Sequence, residues 1–127
     1  SLRDERFVAG NLMAGSIKRD LFGATGHSAV MVPMLAMSGS EDPVGAEGQF
    51  TSTAPLPMRW IDIRGACHQF FALGGCTNVP DDEQDRIVSA WSLAFARKHV
   101  LMDEGAPVRS LLDGTSPVSD RVTLRQR

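Results

Sequence analysis

The sequence predicts an α/β fold with about three parallel strands and flanking helices, on three observations. Two short apolar runs, residues 32–39 and 58–64, are each bounded by turn-forming residues, as is typical of strands buried on both faces of a sheet. A weaker apolar run, residues 7–14, predicts a third strand. A long stretch, residues 80–102, carries apolar side chains at helical spacing. Strands alternating with helical segments are typical of a parallel sheet covered by helices.

The long helical segment has the clearest pattern. Ile87, Trp91 and Phe95 follow one another at intervals of four residues, which places them on one face of a helix. Asp81 is the predicted N-cap, with Gln84 at the reciprocal position of a capping box. The apolar stripe predicts that this helix packs across the sheet. The shorter segments at 43–50 and 106–114 predict at most a turn or two of helix, and residues 122–127 predict either a short edge strand or a frayed end.

Composition narrows the class of protein. The chain has 127 residues, 43% of them hydrophobic and 22% charged, which is enough apolar material for a packed core and fits one domain or part of one. A formal net charge of −2 argues against nucleic-acid binding, which calls for a basic surface. No apolar stretch has the length of a membrane span, and no Cys/His spacing suits a structural zinc. We expect no cofactor and no metal.

Two polar residues stand just after the two clearest strands. Asp42 follows the run 32–39, and His68 follows the run 58–64 after a turn of small residues. A right-handed crossover between the strands would make them parallel neighbours, with both exits at one edge of the sheet. A carboxylate there can accept the imidazole Nδ1–H and leave Nε2 free to take a proton. The sequence therefore predicts an acid–histidine pair at this edge.

The residues around this pair resemble a known superfamily. Residues 32–43 (VPMLAMSGSEDP) and 64–71 (RGACHQFF) resemble the C-terminal part of α/β-hydrolases, in particular esterases akin to dienelactone hydrolases and platelet-activating-factor acetylhydrolases. The resemblance covers roughly residues 3–113, and residues 114–127 form a tail of the same unit, 1–127. It implies the C-terminal portion of an α/β-hydrolase sheet. It also implies ester hydrolysis with His68 as base and then acid, Asp42 as its orienting acid and a serine as nucleophile.

The nucleophile is expected outside this chain. In the resembling esterases the Gly-x-Ser-x-Gly elbow would lie upstream of residue 1. Residues 26–30 (GHSAV) match only its first part, and neither a strand before them nor a helix after them is predicted. We therefore expect Ser28 and His27 to be loop residues. The partner implied is the missing N-terminal half or a second copy, with a small ester as substrate.

The sequence leaves open which acid pairs with His68, whether a metal is bound and whether the two cysteines are bonded. Glu41 is a rival to Asp42, although the superfamily pattern Gly-x-x-Asp aligns Asp42, and Asp42 alone would fit a turn residue that bonds its own backbone. Glu41, Asp42 and His68 on a metal would make a different enzyme. Cys67 and Cys76 are either two free thiols or a disulfide. Related secreted esterases often carry cysteines in this region, and a bond here would constrain the histidine loop.

A rival function belongs to another class. The chain could be a truncated hydrolase module without catalytic activity that self-associates as a binding or structural protein. The strand at 7–14 contains no Pro, Lys or Arg to protect an open edge. Both hypotheses, the hydrolase half and the self-associating module, predict that the open edge of the strand at 7–14 pairs with another chain segment.

Overall fold

The architecture is a four-stranded mixed sheet flanked by helices, and the predicted α/β class is confirmed. The computed structural model describes residues 4–15, 25–44, 46–72 and 74–127. The strands lie side by side in chain order, the first three parallel and the last antiparallel. They are β1 (Gly10–Met13), β2 (Met34–Gly39), β3 (Met58–Ile63) and β4 (Val122–Gln126). The α-helices in the described residues are α1 (Ala46–Ser52), α2 (Asp81–Val100) and α3 (Ala106–Leu112).

The two clearest predicted strands are the two central ones. β2 and β3 pair in parallel over their full length, from Met34 opposite Met58 to Gly39 opposite Ile63. The tail resolves into an edge strand, because β4 pairs with β3 from Ile63 to Arg59. The sheet thus has β1 at one edge and β4 at the other.

β1 is shorter than predicted. It covers four residues rather than residues 7–14, and the preceding segment leaves the sheet in a turn in which the Phe7 N–H donates to the Asp4 carbonyl at 3.2 Å. An edge strand has only one neighbour to stabilise it, and its Gly10–Asn11 start has low strand propensity. Phe7, which lies before the strand, is 71% exposed.

α2 covers one face of the sheet with the predicted stripe. Ile87 and Trp91 are fully buried and Phe95 is 3% exposed. They belong to one core cluster with Leu35 and Ile61 of the sheet. Burying a side chain of this size is worth about 1.5–3 kcal/mol each, so this stripe fixes the helix to the sheet.

The predicted cap of α2 is wrong by one residue. The helix begins at Asp81, its cap position is Pro80, and no side chain caps it. The backbone N–H of Gln84 donates to the Pro80 carbonyl at 3.0 Å. The Gln84 side chain is only 6% exposed and lies in the interior rather than reaching back as a capping box requires.

The opposite face is covered by α1 and closed by the chain's last residues. Phe50, Leu56, Met58 and Trp60 form a second buried cluster there. The Arg127 guanidinium donates to the Phe50 carbonyl, to the Thr53 carbonyl at 2.6 Å and, through Nε, to the Leu56 carbonyl at 3.0 Å. Positive charge at a helix C-terminus complements the exposed carbonyls and the helix dipole. The last residue thus secures the short helix that the crossover contains.

A charged cluster joins the start of α2 to the segment before β4. The Ser119 hydroxyl donates to Glu83 Oε1 at 2.5 Å, and Arg121 Nε donates to Glu83 Oε2 at 3.0 Å. The Glu83 side chain is 16% exposed. The Ser119 hydrogen bond, followed by the hydrogen bond and positive charge of Arg121, holds the pKa of the Glu83 carboxyl below its usual range.

This lowered pKa predicts a pH-dependent contribution to stability. Because the native state favours the charged carboxylate, the contribution is complete above the ordinary glutamate pKa, about 4.3, and is lost as the pH falls through the lower native value. Glu83→Gln should lower the urea midpoint at pH 7, and the difference from wild type should shrink towards about pH 3. Asp85→Asn, at an exposed acid of the same helix, is the control and should change the midpoint little. A Glu83→Gln deficit that is independent of pH would contradict this assignment.

Candidate functional site

The turns that follow β2 and β3 are joined to each other by hydrogen bonds in addition to those that pair the strands. The Ser40 N–H donates to the Ile63 carbonyl at 3.1 Å, and the Glu41 N–H donates to the Ala66 carbonyl at 3.0 Å. The Gly65 N–H donates to the Ser40 hydroxyl at 2.9 Å. The two turns that follow the strands are therefore fixed to each other at the carboxyl edge of the sheet.

Gly39 is the residue that allows this close approach. A Cβ built on Gly39 would lie 2.0 Å from the Ala66 carbonyl oxygen and 2.5 Å from its carbonyl carbon. Ala66 is fully buried, so the backbone has no open side toward which it could move. This contact gives a physical reason for glycine three residues before the acid.

Asp42 is held by its own turn and is buried. Its backbone N–H donates to the Gly39 carbonyl at 3.0 Å, and its Oδ1 accepts the Val44 N–H at 3.1 Å. Its side chain is 1% exposed. Asp42 therefore has the role of a turn residue that bonds its own backbone.

His68 begins a short 3₁₀ turn, His68–Phe71, after the β3 exit. Its Nδ1 lies 3.2 Å from Asp42 Oδ1 and 3.1 Å from Oδ2, so the predicted contact is confirmed. An ionised carboxylate only accepts hydrogen bonds, which makes Nδ1 the protonated nitrogen of the neutral ring and leaves Nε2 an acceptor. The His68 side chain is 55% exposed. The site therefore combines a buried acid with an imidazole that is open to a reactant.

The two cysteines form a disulfide that closes the histidine loop. Cys67 and Cys76 are bonded, so the alternative of two free thiols is wrong. The Cys67 N–H also contacts Cys76 Sγ at 3.0 Å. Behind the loop, Phe70 is 1% exposed and packs edge-on against Phe71 with ring centroids 5.1 Å apart. His68 thus stands on a turn anchored on both sides.

The rival acid binds elsewhere. Glu41 Oε1 accepts a hydrogen bond from Asn78 Nδ2 at 2.7 Å, whereas both contacts to the His68 ring nitrogen come from Asp42. Sequence reasoning missed Asn78. Its only signal is its place in the turn that follows Cys76, where a short amide side chain is common.

Ser28 lies at the wrong end of the sheet for His68. It is in a 3₁₀ turn, Gly26–Ala29, that precedes β2, and its hydroxyl donates to the Thr25 carbonyl at 2.6 Å. His68 follows the other end of β3, which is parallel to β2. Strands of this length span about 20 Å, so Ser28 and His27 do not share a site with His68.

Asp42 also borders an open cleft on the α1 side of the sheet. The Trp60 indole N–H donates to the Ser38 hydroxyl at 2.7 Å, and that hydroxyl donates to Asp62 Oδ1 at 3.1 Å. These three side chains line the cleft together with Asp42 and Glu47. Sequence reasoning missed them, because polar residues within an otherwise apolar run carry no pattern of their own.

The other candidate chemistries find no support in the described parts of the chain. Those residues contain no group of three or more His, Cys, Asp or Glu side chains that could hold a metal ion. No helix among them has the length and apolarity needed to cross a membrane.

No model of a known protein family matches the sequence, and a comparison with curated proteins gives no match either.

Replacing Gly39 tests the close approach of the two strand exits. Gly39→Ala should lower the free energy of unfolding by about 2 kcal/mol or more, because the added methyl overlaps the Ala66 carbonyl. Gly48→Ala is the matched control, since a Cβ at that position of α1 meets nothing within 4 Å. It should stabilise the helix by about 0.5–1 kcal/mol. Urea denaturation measures both, and equal effects of the two substitutions would contradict the predicted overlap.

Proposed function

We propose that this chain supplies the acid and the histidine of a serine-dependent carboxylic-ester hydrolase. The observation that carries the proposal is the buried Asp42 carboxylate held against Nδ1 of an exposed His68. A lone histidine in a turn would need no buried, doubly hydrogen-bonded acid behind it. The resemblance of residues 32–43 and 64–71 to α/β-hydrolases gives the same reading from the sequence.

The reaction follows from the two ring nitrogens. His68 Nε2 removes the proton from a serine hydroxyl as its oxygen attacks the ester carbonyl, and the imidazolium then gives that proton to the departing alkoxide. The acyl group remains on the serine. His68 next deprotonates a water that attacks the acyl-enzyme, and the serine recovers its proton. Asp42 keeps Nδ1–H in place and stabilises the imidazolium in both steps.

In this proposal the serine comes to the carboxyl edge of the sheet from outside the described residues. β1, β2 and β3 are parallel, so β1 ends at the same edge as Asp42 and His68. The far side of β1 has no strand partner in the described residues. A strand added there in parallel would end at this edge and could present a nucleophile after its last residue. An N-terminal half of the same protein, or another chain, is the proposed source.

Activity of the native gene product that contains this chain tests the proposal. The chain alone should hydrolyse a p-nitrophenyl ester no faster than a histidine in solution does, because neither a nucleophile elbow nor an oxyanion hole is found beside His68 in the described residues. The complete product should be active, and His68→Ala or Asp42→Asn should lower its kcat by about 10³–10⁴-fold. His27→Ala, at the opposite end of the sheet, is the control and should leave kcat unchanged. Enzyme-like rates from the chain alone would contradict the proposal.

A second candidate function rests on the same open edge. Phe7, Val8 and Met13 at and before β1 are 71%, 48% and 44% exposed, and exposed strand edges pair with other chains. If the chain acts without a nucleophile, it is a non-catalytic module that self-associates through β1. The interface of such a stable pair would bury more than about 1,200 Å² in total.

Sedimentation of the isolated chain examines that edge. We expect a species heavier than the 13.7 kDa monomer at micromolar concentration. Met13→Lys should restore the monomer, because a charge at a strand edge disfavours pairing. Leu93→Lys changes a side chain that is 60% exposed on α2 and should leave the association unchanged. A monodisperse, folded wild-type monomer would exclude self-association through β1.

A further inference from the structure

We propose that Asn78 and Glu41 are positioning residues for His68, acting through the disulfide-closed loop. This inference rests on the proposed function for its catalytic consequence, but its structural part stands on contacts alone. Four residues, here called the loop clamp, surround the acid–histidine contact: Glu41, Cys67, Cys76 and Asn78.

The loop clamp forms a closed ring. Glu41 precedes Asp42 in the chain, and its Oε1 accepts the Asn78 Nδ2–H at 2.7 Å. Cys76 is two residues before Asn78, and its disulfide leads to Cys67, which directly precedes His68. The His68–Asp42 hydrogen bond closes the ring. Apart from that bond, the Asn78–Glu41 hydrogen bond is the only side-chain to side-chain hydrogen bond that closes the ring in the described residues, and the backbone bond from the Glu41 N–H to the Ala66 carbonyl crosses it.

The stretch from Cys76 to Asn78 is itself rigid. Cys76 and Val79 form an isolated antiparallel bridge, and the Val79 N–H donates to the Cys76 carbonyl at 3.3 Å. Val79 is 3% exposed, so the far side of this turn is anchored in the core. A displacement of Asn78 therefore also displaces Cys76 and, through the disulfide, Cys67.

Of the two residues that the loop clamp joins, His68 has fewer other contacts to hold it than Asp42. Asp42 is fixed by its own turn and its side chain is 1% exposed, whereas the His68 side chain is 55% exposed. The only side-chain hydrogen bonds of His68 in the described residues go to Asp42. Loss of the Asn78–Glu41 bond should therefore displace His68 rather than Asp42. A displacement on the order of 1 Å at a catalytic base lowers the rate without weakening substrate binding.

The two ring nitrogens of His68 report the effect directly in the isolated chain of 127 residues. ¹⁵N chemical shifts distinguish a ring protonated at Nδ1 from one protonated at Nε2. Asn78→Ala should move both His68 shifts toward those of Asp42→Ala, in which the Nδ1 acceptor is gone. Glu41→Ala should have the same effect, and the double variant no more than either single one, because both remove one bond.

Two comparisons separate positioning from a general loss of structure. Glu41→Gln keeps an oxygen acceptor for Asn78 and should retain the wild-type shifts. Thr77→Ala, at the exposed neighbouring position, should also leave them unchanged. After reduction of the disulfide, Asn78→Ala should add nothing, since Asn78 no longer pulls on Cys67. Wild-type His68 shifts in Asn78→Ala, or effects of Asn78→Ala and Glu41→Ala that add, would overturn the proposal.

The catalytic consequence is measured separately. In the complete gene product, Asn78→Ala should lower kcat for a p-nitrophenyl ester about tenfold at unchanged KM. If the shifts respond while no variant of the complete product hydrolyses the ester, the clamp stands and the proposed function fails. If the product is active but Asn78→Ala leaves both kcat and the shifts unchanged, the clamp fails and the proposed function stands.

Discussion

The contact between the Gly39 backbone and the Ala66 carbonyl is the constraint on which the rest of the site depends. Two parallel strands bring their ends to one edge, but strand pairing alone stops at Gly39 and Ile63. The absence of a side chain at Gly39 lets the next turns continue the contact, with the Glu41 N–H on the Ala66 carbonyl. Asp42 and His68 can meet because the backbone that carries them is joined before either side chain begins.

The rest of the fold keeps these two exits rigid. α2 buries Ile87 and Trp91 on one face of the sheet, and α1 covers the other face with Phe50. The antiparallel β4 returns along β3, and Arg127, which follows its last residue, donates hydrogen bonds to carbonyls at the C-terminus of α1. The result is an unequal pair of site residues, an acid whose side chain is shielded from solvent and a base whose side chain is 55% exposed. In a serine hydrolase the acid orients and the base exchanges protons with reactants.

The sequence predicted those parts of the fold that repeat a simple pattern. The continuous apolar runs of β2 and β3 and the stripe of Ile87, Trp91 and Phe95 are one-dimensional signals of burial, and the structure confirms them. The order of Asp42 and His68 after two such strands sufficed to predict their contact. These predictions depend on local residues and one topological rule.

The remaining features depend on tertiary neighbours that no local pattern encodes. β1 is short because its edge position offers one partner, and the Gln84 side chain is buried where the sequence predicts a capping box. The disulfide and the Asn78–Glu41 bond join residues whose distance is set by the turn after His68. The pattern of residues 122–127 fits either an edge strand or a frayed end, and pairing with the free edge of β3 makes Val122–Gln126 a strand.

The protonation of the His68 ring in the unmodified chain is the measurement that tests this account most directly. A ¹⁵N spectrum of the neutral ring identifies the nitrogen that carries its proton. The account predicts a proton on Nδ1, held by Asp42, and a bare Nε2 available as base. A ring protonated mainly on Nε2 would contradict it, because the buried carboxylate would then not be orienting the histidine.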